Sequence, residues 1–78
     1  MSTVLRIGPY RFYIYSADRA EPAHVHVKRD DAEAKFWLMP VRLARNDGFR
    51  THELRNLKKV VEKHQQDLLE AWNESFDL

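Results

Sequence analysis

Two histidines placed two residues apart, His24 and His26, are the side chains of this sequence best suited to chemistry. They stand in the segment 24–28, which alternates polar and apolar residues as a β-strand does, so both imidazoles fall on one face and their rings can converge. As metal ligands they would need a carboxylate such as Glu21 or Asp18 to complete the site. Two ligands alone are a weak indication of a metal, and we assign neither a metal nor a cofactor.

The histidine pair has two other uses, and the residues alone leave all three open. As a general acid and base the pair would cleave RNA, with Lys35 or Arg11 stabilising charge on the phosphate. As structural groups the two rings would hydrogen-bond to neighbours such as Glu33 or Tyr13. We take as candidate catalytic residues His24, His26 and Lys35, and as candidate binding residues Arg11, Tyr13, Tyr15, Glu21 and Trp37.

A β-hairpin centred on Asp30-Asp31 is predicted to position these side chains. With a two-residue turn there, His24 faces Trp37 and His26 faces Lys35 across the two strands. The apolar residues then share the opposite face, as a correct register requires: Val25, Val27, Ala34, Phe36 and Leu38. Asp-Asp lacks the glycine that such turns prefer, so a longer loop of the same parity is an alternative.

The N-terminal residues predict a second hairpin of the same polarity. Residues 3–7 and 10–15 alternate around Gly8-Pro9, which marks a turn. A two-residue turn pairs Leu5 with Phe12 on the apolar face. Four further residues then join the histidine face: Arg6, Arg11, Tyr13 and Tyr15.

A short fifth strand and a helix follow. Residues 41–43 alternate apolar and polar side chains, which permits a strand, and Asn46-Asp47-Gly48 marks a turn. Thr51 is the predicted N-cap of a helix that continues to about residue 76. Its apolar stripe comprises Leu54, Leu57, Val61, His64, Leu68, Ala71 and Trp72. We interpret His64 as a partly buried core histidine.

The predicted fold is α+β, a four- or five-stranded antiparallel meander packed on one long C-terminal helix. It forms a single domain over 1–78, with strands within about 3–43 and the helix over about 51–76. A helix of ~26 residues would be ~39 Å long, whereas a compact domain of this size is only ~30 Å across. The helix must therefore break, overhang or pack against a second molecule, and we favour a partner protein or a homodimer.

The polar face of the sheet is expected to be displayed, because one helix covers only one face. Aromatic rings interleaved with cations suit single-stranded RNA, since bases stack on rings and cations meet phosphates. Tyrosine and tryptophan are equally favoured in protein interfaces. A cognate protein, a second protomer or a loop of the chain is therefore the alternative cover for this face.

Composition limits the class of protein. The chain has 78 residues, a net charge of +1 and no cysteine, so no disulfide or thiolate metal site holds it together. It has no apolar run near the ~18 residues of a membrane span and no signal-peptide pattern, and we expect a soluble cytoplasmic protein without a membrane partner. Residues 42–63 carry seven Lys/Arg against three acids, whereas residues 64–78 carry four acids and no Lys/Arg. The basic block suits phosphate or an acidic protein, or is a solvated helix face.

Three sequence blocks carry a resemblance to a known family. They are Thr3-Val4-Leu5-Arg6-Ile7-Gly8 followed by Tyr10-Arg11-Phe12, then Glu21-Pro22-x-His24-Val25-His26-Val27, and Glu33-Ala34-Lys35-Phe36-Trp37-Leu38-x-Pro40-Val41. Over nearly its whole length the chain resembles the small bacterial proteins of domain-of-unknown-function family 4160. The resemblance implies one half of a bacterial toxin–antitoxin pair, often proposed as the toxin and partnered by another small protein. It implies no catalytic residue, so the matching positions are candidates by motif position only: Glu21, His24, His26, Lys35 and Trp37.

Three functions remain as hypotheses. The first is a toxin that acts on RNA or on translation through the histidine face and is covered by an antitoxin-like partner. The second is a non-catalytic protein-interaction module, in one form a homodimer, whose aromatic face is the interface. The third and weakest is a metal-dependent enzyme. Whether the protein is an enzyme at all stays open.

Overall fold

The computed structural model describes residues 2–76 and contains a five-stranded sheet followed by two helices. The elements are β1 (Ser2–Ile7), β2 (Tyr10–Ile14), a 3₁₀ segment (Ser16–Ala20), β3 (His24–Arg29), β4 (Ala32–Leu38), β5 (Val41–Asp47), α1 (Thr51–Lys63) and α2 (Gln65–Ser75). Neighbouring strands are antiparallel, and their order in the sheet follows their order in the chain. The predicted α+β meander is confirmed, with five strands.

Both predicted hairpins have the predicted register. In the β3–β4 hairpin His24 lies opposite Trp37, and in the β1–β2 hairpin Leu5 lies opposite Phe12. The tight β3–β4 turn forms without glycine because Asp30 adopts a positive φ of 53°. Aspartate is one of the few residues that visit this left-handed region readily. The alternative of a longer loop is therefore not needed.

β5 is longer than predicted. It covers Val41–Asp47 instead of 41–43, and it takes in the start of the predicted turn, so the chain reverses at Gly48, where φ is 105°. Asn46 fixes the loop that follows, because its side chain accepts a hydrogen bond from the Phe49 amide at 3.0 Å and donates one to the Phe49 carbonyl at 2.9 Å. Every β5 residue after the first is exposed, so the strand lacks the apolar alternation that would have predicted its length.

The predicted single helix consists of two helices that meet at His64, whose φ and ψ of −104° and 14° end α1. The side-chain amide of Gln65 donates a hydrogen bond of 2.6 Å to the main-chain carbonyl of Leu38 at the end of β4, which fastens this junction to the sheet. The break lets both helices lie within a molecule of 34 × 22 × 21 Å. Helix length therefore no longer requires an overhang or a second molecule.

The start of α1 lies one residue earlier than predicted. Arg50 occupies the N-cap position and its side chain makes no capping hydrogen bond, so the prediction of Thr51 as N-cap is wrong. Glu53 lies in the first turn and Lys63 in the last, both on the side that the helix dipole favours. The basic block of the sequence thus ends where α1 ends.

The core lies between the apolar face of the sheet and both helices. Its buried members include Phe12, Ile14, Val25, Val27, Ala34, Phe36 and Leu38 from the sheet and Leu57, Val61, Leu68 and Trp72 from the helices. A smaller cluster of Ile14, Trp72 and Phe76 closes one end of the sheet. His64 is half-buried at the helix junction. In the part of the chain that the structure describes, no helix combines the length and apolar character needed to cross a membrane.

Candidate functional site

A single carboxylate joins the two histidines of the polar face. The 3₁₀ segment between β2 and β3 folds over this face and places Asp18 against both rings. Asp18 Oδ2 lies 2.7 Å from His24 Nε2 and 2.8 Å from His26 Nε2. The three side chains therefore form one compact cluster, which we call the His–Asp cluster.

The centre of the polar face is buried, and the expectation that this face is displayed is wrong there. The exposed fractions of Tyr13, His24 and His26 are 1%, 0% and 4%. The cover is the loop of the chain that carries Asp18, which was one of the alternatives left open by the sequence. In this conformation a large substrate has no access to His24.

The ring nitrogens of His24 both face acceptors. Nδ1 lies 2.9 Å from the carbonyl oxygen of Pro22, and since a carbonyl only accepts, Nδ1 carries a proton. Nε2 faces the Asp18 carboxylate. His26 Nδ1 is buried and has no hydrogen-bond partner among the described residues, and Glu33 Oε2 lies 3.6 Å from it.

The surroundings of the Asp18 carboxyl group favour its ionised form. Burial by itself would raise the pKa of Asp18, but the hydrogen bonds with His26 and His24 outweigh burial. The pKa of this carboxyl therefore lies below its ordinary value. At neutral pH the cluster contains one carboxylate facing two imidazoles.

Aromatic rings hold His26 in place. The Tyr13 ring stacks on the His26 ring with centroids 5.5 Å apart, and the Tyr15 ring meets it edge-on at 4.6 Å. Burial, helped by the hydrogen bond with Tyr15, raises the pKa of Tyr13 well above its ordinary value. The Tyr13 phenol therefore stays neutral and does not act as a base, while Arg11 lies 5.6 Å from its ring centroid.

Two tryptophans enclose His24 on its other sides. The Trp37 ring lies 5.6 Å away and the Trp72 ring 4.9 Å away. The sequence indicated Trp72 only as a member of the helical apolar stripe, and nothing in that pattern showed which strand residue it would meet. Asp18 was named only as a possible ligand, since it lies in an irregular connection where periodicity gives no information.

Lys35 is already engaged by neighbours. Its ammonium forms an ion pair with Glu21 and lies 4.6 Å from the Trp37 ring centroid. The hydrogen bond from Lys35 lowers the pKa of Glu21, so this carboxyl is ionised and offsets the lysine charge. In this conformation Lys35 is less available to a phosphate than the sequence suggested.

All eight candidate residues from the sequence come together in the structure. They form a continuous strip on the polar face in the order Arg11, Tyr13, Tyr15, His26, His24, Trp37, Lys35 and Glu21. The catalytic role proposed for His24, His26 and Lys35 stays a prediction. What the geometry adds to the strip is Asp18 at its centre.

Three cations lie in a row across β1, β2 and β3. Arg6 is directly opposite Arg11, and Arg11 is directly opposite Lys28. In the part of the chain that the structure describes, none of the three forms a salt bridge, and Arg11 Nε is buried without a hydrogen-bond partner. The row lines a hollow of ≈ 220 Å³ to which Pro9, Arg29 and the acidic residue Asp30 also contribute. We call these three residues the cation row.

A larger groove of ≈ 710 Å³ lies at the opposite end of β3 and β4. Trp37 and Trp72 form part of its wall, and its apolar lining also includes Leu69 of α2 and Met39 of the β4–β5 turn. Met39 is 70% exposed, which is unusual for a large apolar side chain. The groove therefore offers an apolar surface directly behind His24.

Comparison with known proteins identifies one matching family. The family model described as "Domain of unknown function (DUF4160)" matches residues 10–73. The chain belongs to this family. The matched segment of this chain runs from β2 into α2 and contains the residues of the His–Asp cluster and both tryptophans of the groove, whereas Arg6 lies outside it. Neither a search of curated proteins nor a search of solved structures finds a significant match.

Proposed function

We propose that this protein binds RNA and acts as the toxin of a toxin–antitoxin pair. The observation that carries the RNA half of the proposal is the cation row, Arg6, Arg11 and Lys28, on three adjacent strands. The toxin half rests on the resemblance of the chain to small bacterial proteins that are often proposed as toxins of such pairs. A small partner protein, antitoxin-like, would neutralise it.

The cation row is costly unless an anion occupies it. Like charges directly opposite each other destabilise a sheet, and this row contains two such pairs in succession, Arg6–Arg11 and Arg11–Lys28. Glu33 lies opposite Lys28 on β4 but forms no salt bridge with it in the described part of the chain. A phosphate in the hollow would compensate the charges of the row.

Phosphate contact, not base stacking, is the expected mode of binding. The Tyr13 ring is buried, so it offers no face to a base. Tyr15 and Trp37 are half-buried, which reduces the ring surface that a base could stack on. Binding should therefore depend on salt more than on sequence, and three phosphate contacts to a single strand correspond to a log–log salt slope of about −2.

RNA binding is tested with a charge-matched pair of double variants. Arg6→Gln/Lys28→Gln removes two exposed members of the row, and Lys58→Gln/Lys59→Gln removes two exposed cations of α1. We expect the first variant to weaken binding of a labelled single-stranded RNA and to reduce the salt slope to about −0.7, because one phosphate contact remains. Equal losses in both variants would show that the row is not the RNA site.

The toxin proposal is tested by induced expression in a bacterial host. We expect the wild-type protein to arrest growth. The soluble variant Arg6→Gln/Lys28→Gln should relieve the arrest, whereas Lys58→Gln/Lys59→Gln should not. Arrest also relieved by His24→Ala/His26→Ala in soluble form would support the acid–base role of the two histidines. Absence of arrest by soluble wild-type protein would overturn the toxin proposal.

A second candidate function is a protein-interaction module, which the groove favours. Tryptophan and methionine are enriched where proteins bind each other, and the groove brings Trp37, Trp72 and the exposed Met39 together. In this role the His–Asp cluster is a structural support behind the groove. Light scattering during size exclusion tests the homodimeric form, since a wild-type protein that is monomeric at high concentration rules it out.

A further inference from the structure

We infer that Asp18, His24 and His26 bind one divalent transition-metal ion. Their three ligand atoms, one carboxylate oxygen and two Nε2 nitrogens, all lie within 4.8 Å of one another. Two imidazoles with one carboxylate suit ions such as Zn²⁺, Fe²⁺, Co²⁺ or Ni²⁺ rather than Mg²⁺ or Ca²⁺, which prefer oxygen ligands. Three protein ligands leave at least one position for water or another ligand.

The hydrogen bonding of His24 is the first argument. Nδ1 donates its proton to the Pro22 carbonyl at 2.9 Å, which in neutral imidazole leaves a lone pair on Nε2. That lone pair points at a carboxylate oxygen of Asp18 at 2.7 Å. Two acceptors so close require a cation between them, either a proton or a metal ion. A ring nitrogen donating to a backbone carbonyl is also the arrangement that orients metal-binding histidines.

The unpartnered nitrogen of His26 is the second argument. If Nε2 donates to Asp18, then Nδ1 is a bare acceptor, buried without a partner and facing the Glu33 carboxylate at 3.6 Å. Metal binding through Nε2 moves the ring proton to Nδ1, where it points at Glu33. The ion therefore satisfies an otherwise orphaned atom, and its two positive charges balance the two carboxylates.

The rigidity of the cluster is the third argument. Trp37 and Trp72 pack against the His24 ring, and Tyr13 and Tyr15 pack against the His26 ring, so neighbouring rings support both imidazoles in the orientation that faces Asp18. Tetrahedral ligand atoms at about 2.1 Å from one Zn²⁺ ion lie about 3.4 Å apart. Asp18 Oδ2, now 2.7 and 2.8 Å from the two Nε2 atoms, must therefore move away from them by about 0.6–0.7 Å to admit the ion. Asp18 is the least buried of the three residues and lies in the 3₁₀ segment that covers the cluster, so an ion would reach the site past its side chain.

Metal binding is measured on untagged protein after treatment with a chelator. Titration of Zn²⁺ or Co²⁺ by calorimetry is expected to show one saturable equivalent, and Co²⁺ to develop an absorption spectrum typical of nitrogen and oxygen ligands. Asp18→Asn should weaken binding at least tenfold, and Glu33→Gln, which keeps all three ligands, roughly tenfold. His52→Gln, an exposed histidine of α1, is the control and should bind as the wild type does.

A readout on the wild type keeps the inference falsifiable if Asp18→Asn does not fold. Nitrogen NMR of the histidine rings should show Nε2 of His24 and His26 shifting on addition of one equivalent of Zn²⁺, while His52 and His64 stay unchanged. The absence of saturable binding would overturn the inference. It would also be overturned if the His24 ring stayed protonated on both nitrogens with Zn²⁺ present, because a proton alone would then lie between Nε2 and Asp18. The measurement contains no RNA, so its result is independent of the proposed function.

Discussion

Arg29 holds Glu53 with two hydrogen bonds, from Nε at 2.7 Å and from Nη2 at 3.0 Å. Tyr10 donates a further hydrogen bond to the same carboxylate. The pair joins the end of β3 to the first turn of α1, and both side chains are partly buried. A two-pronged contact of this kind fixes the angle at which the helix leaves the sheet.

The first prediction concerns the stability that this pair supplies. Glu53→Gln keeps the size of the side chain but removes the charge that Arg29 recognises, so we expect the melting temperature to fall by a few degrees. Glu62→Gln is the matched control, because Glu62 is exposed on the same helix and makes no salt bridge in the described part of the chain. Thermal unfolding followed by circular dichroism checks this, and equal effects of the two substitutions would contradict it.

The second prediction is the pH dependence of the same contact. The hydrogen bonds from Arg29 and Tyr10 lower the pKa of Glu53 below its ordinary value. A carboxyl whose folded-state pKa is depressed stabilises the fold fully above its unfolded pKa of about 4.3 and loses that effect as the pH falls through the folded-state value. The stability gap between wild type and Glu53→Gln should therefore be constant above about pH 5 and shrink below it. Urea unfolding over a pH series measures the gap, and a gap that stays unchanged in strong acid would refute the assignment.

The third prediction compares the two glycines. Gly8 has φ of 54° and open space where a Cβ would stand, whereas Gly48 has φ of 105° and its Cβ would lie 3.3 Å from Ala32. Gly8→Ala should cost about 1–2 kcal/mol, the usual penalty of the left-handed region. Gly48→Ala should cost more, since strain and close contact act together. Denaturant titration gives both values, and the reverse order would show that the turn after β5 is not built as described.

The fourth prediction tests the groove with the two large apolar side chains that are exposed in the described part of the chain. Met39 lies in the groove and is 70% exposed, and Leu43 lies outside it on β5 and is 44% exposed. If the groove is a homodimer interface, Met39→Glu should convert the dimer to a monomer while Leu43→Glu leaves it intact. Both substitutions should change folding stability by less than about 0.5 kcal/mol, as is usual for surface positions. Sedimentation at several concentrations distinguishes the outcomes, and dimers lost in both variants would place the interface elsewhere.

The sequence predicted the sheet well because strand register follows from simple periodicity. A period of two and the position of Asp30-Asp31 are enough to place His24 opposite Trp37, as the structure confirms. The break between α1 and α2 was not predictable in the same way. It coincides with a hydrogen bond from Gln65 to Leu38, residues far apart in the chain, and no local pattern encodes that contact.

The sequence predicted which residues form the candidate site, but it did not predict that they are buried. Alternation alone gathers His24, His26 and Tyr13 on one face, and they do lie together. Their burial depends on the path of the 3₁₀ segment, which has no periodicity to read, and on Asp18 meeting both rings. The central relationship of the site is therefore tertiary, although each residue taking part in it is visible in the sequence.

The order of the strands has a consequence for synthesis of the chain. Because each strand pairs with the one made just before it, the whole meander can assemble while translation is still under way. Its apolar side, with Val25 and Phe36, nevertheless stays open to water until α1 and α2 emerge. A product that stops at Gly48 would display this surface to other nascent chains, which is the condition under which aggregation begins. The helices thus cover the apolar side of the sheet only after all five strands have been made, so premature termination leaves that side exposed.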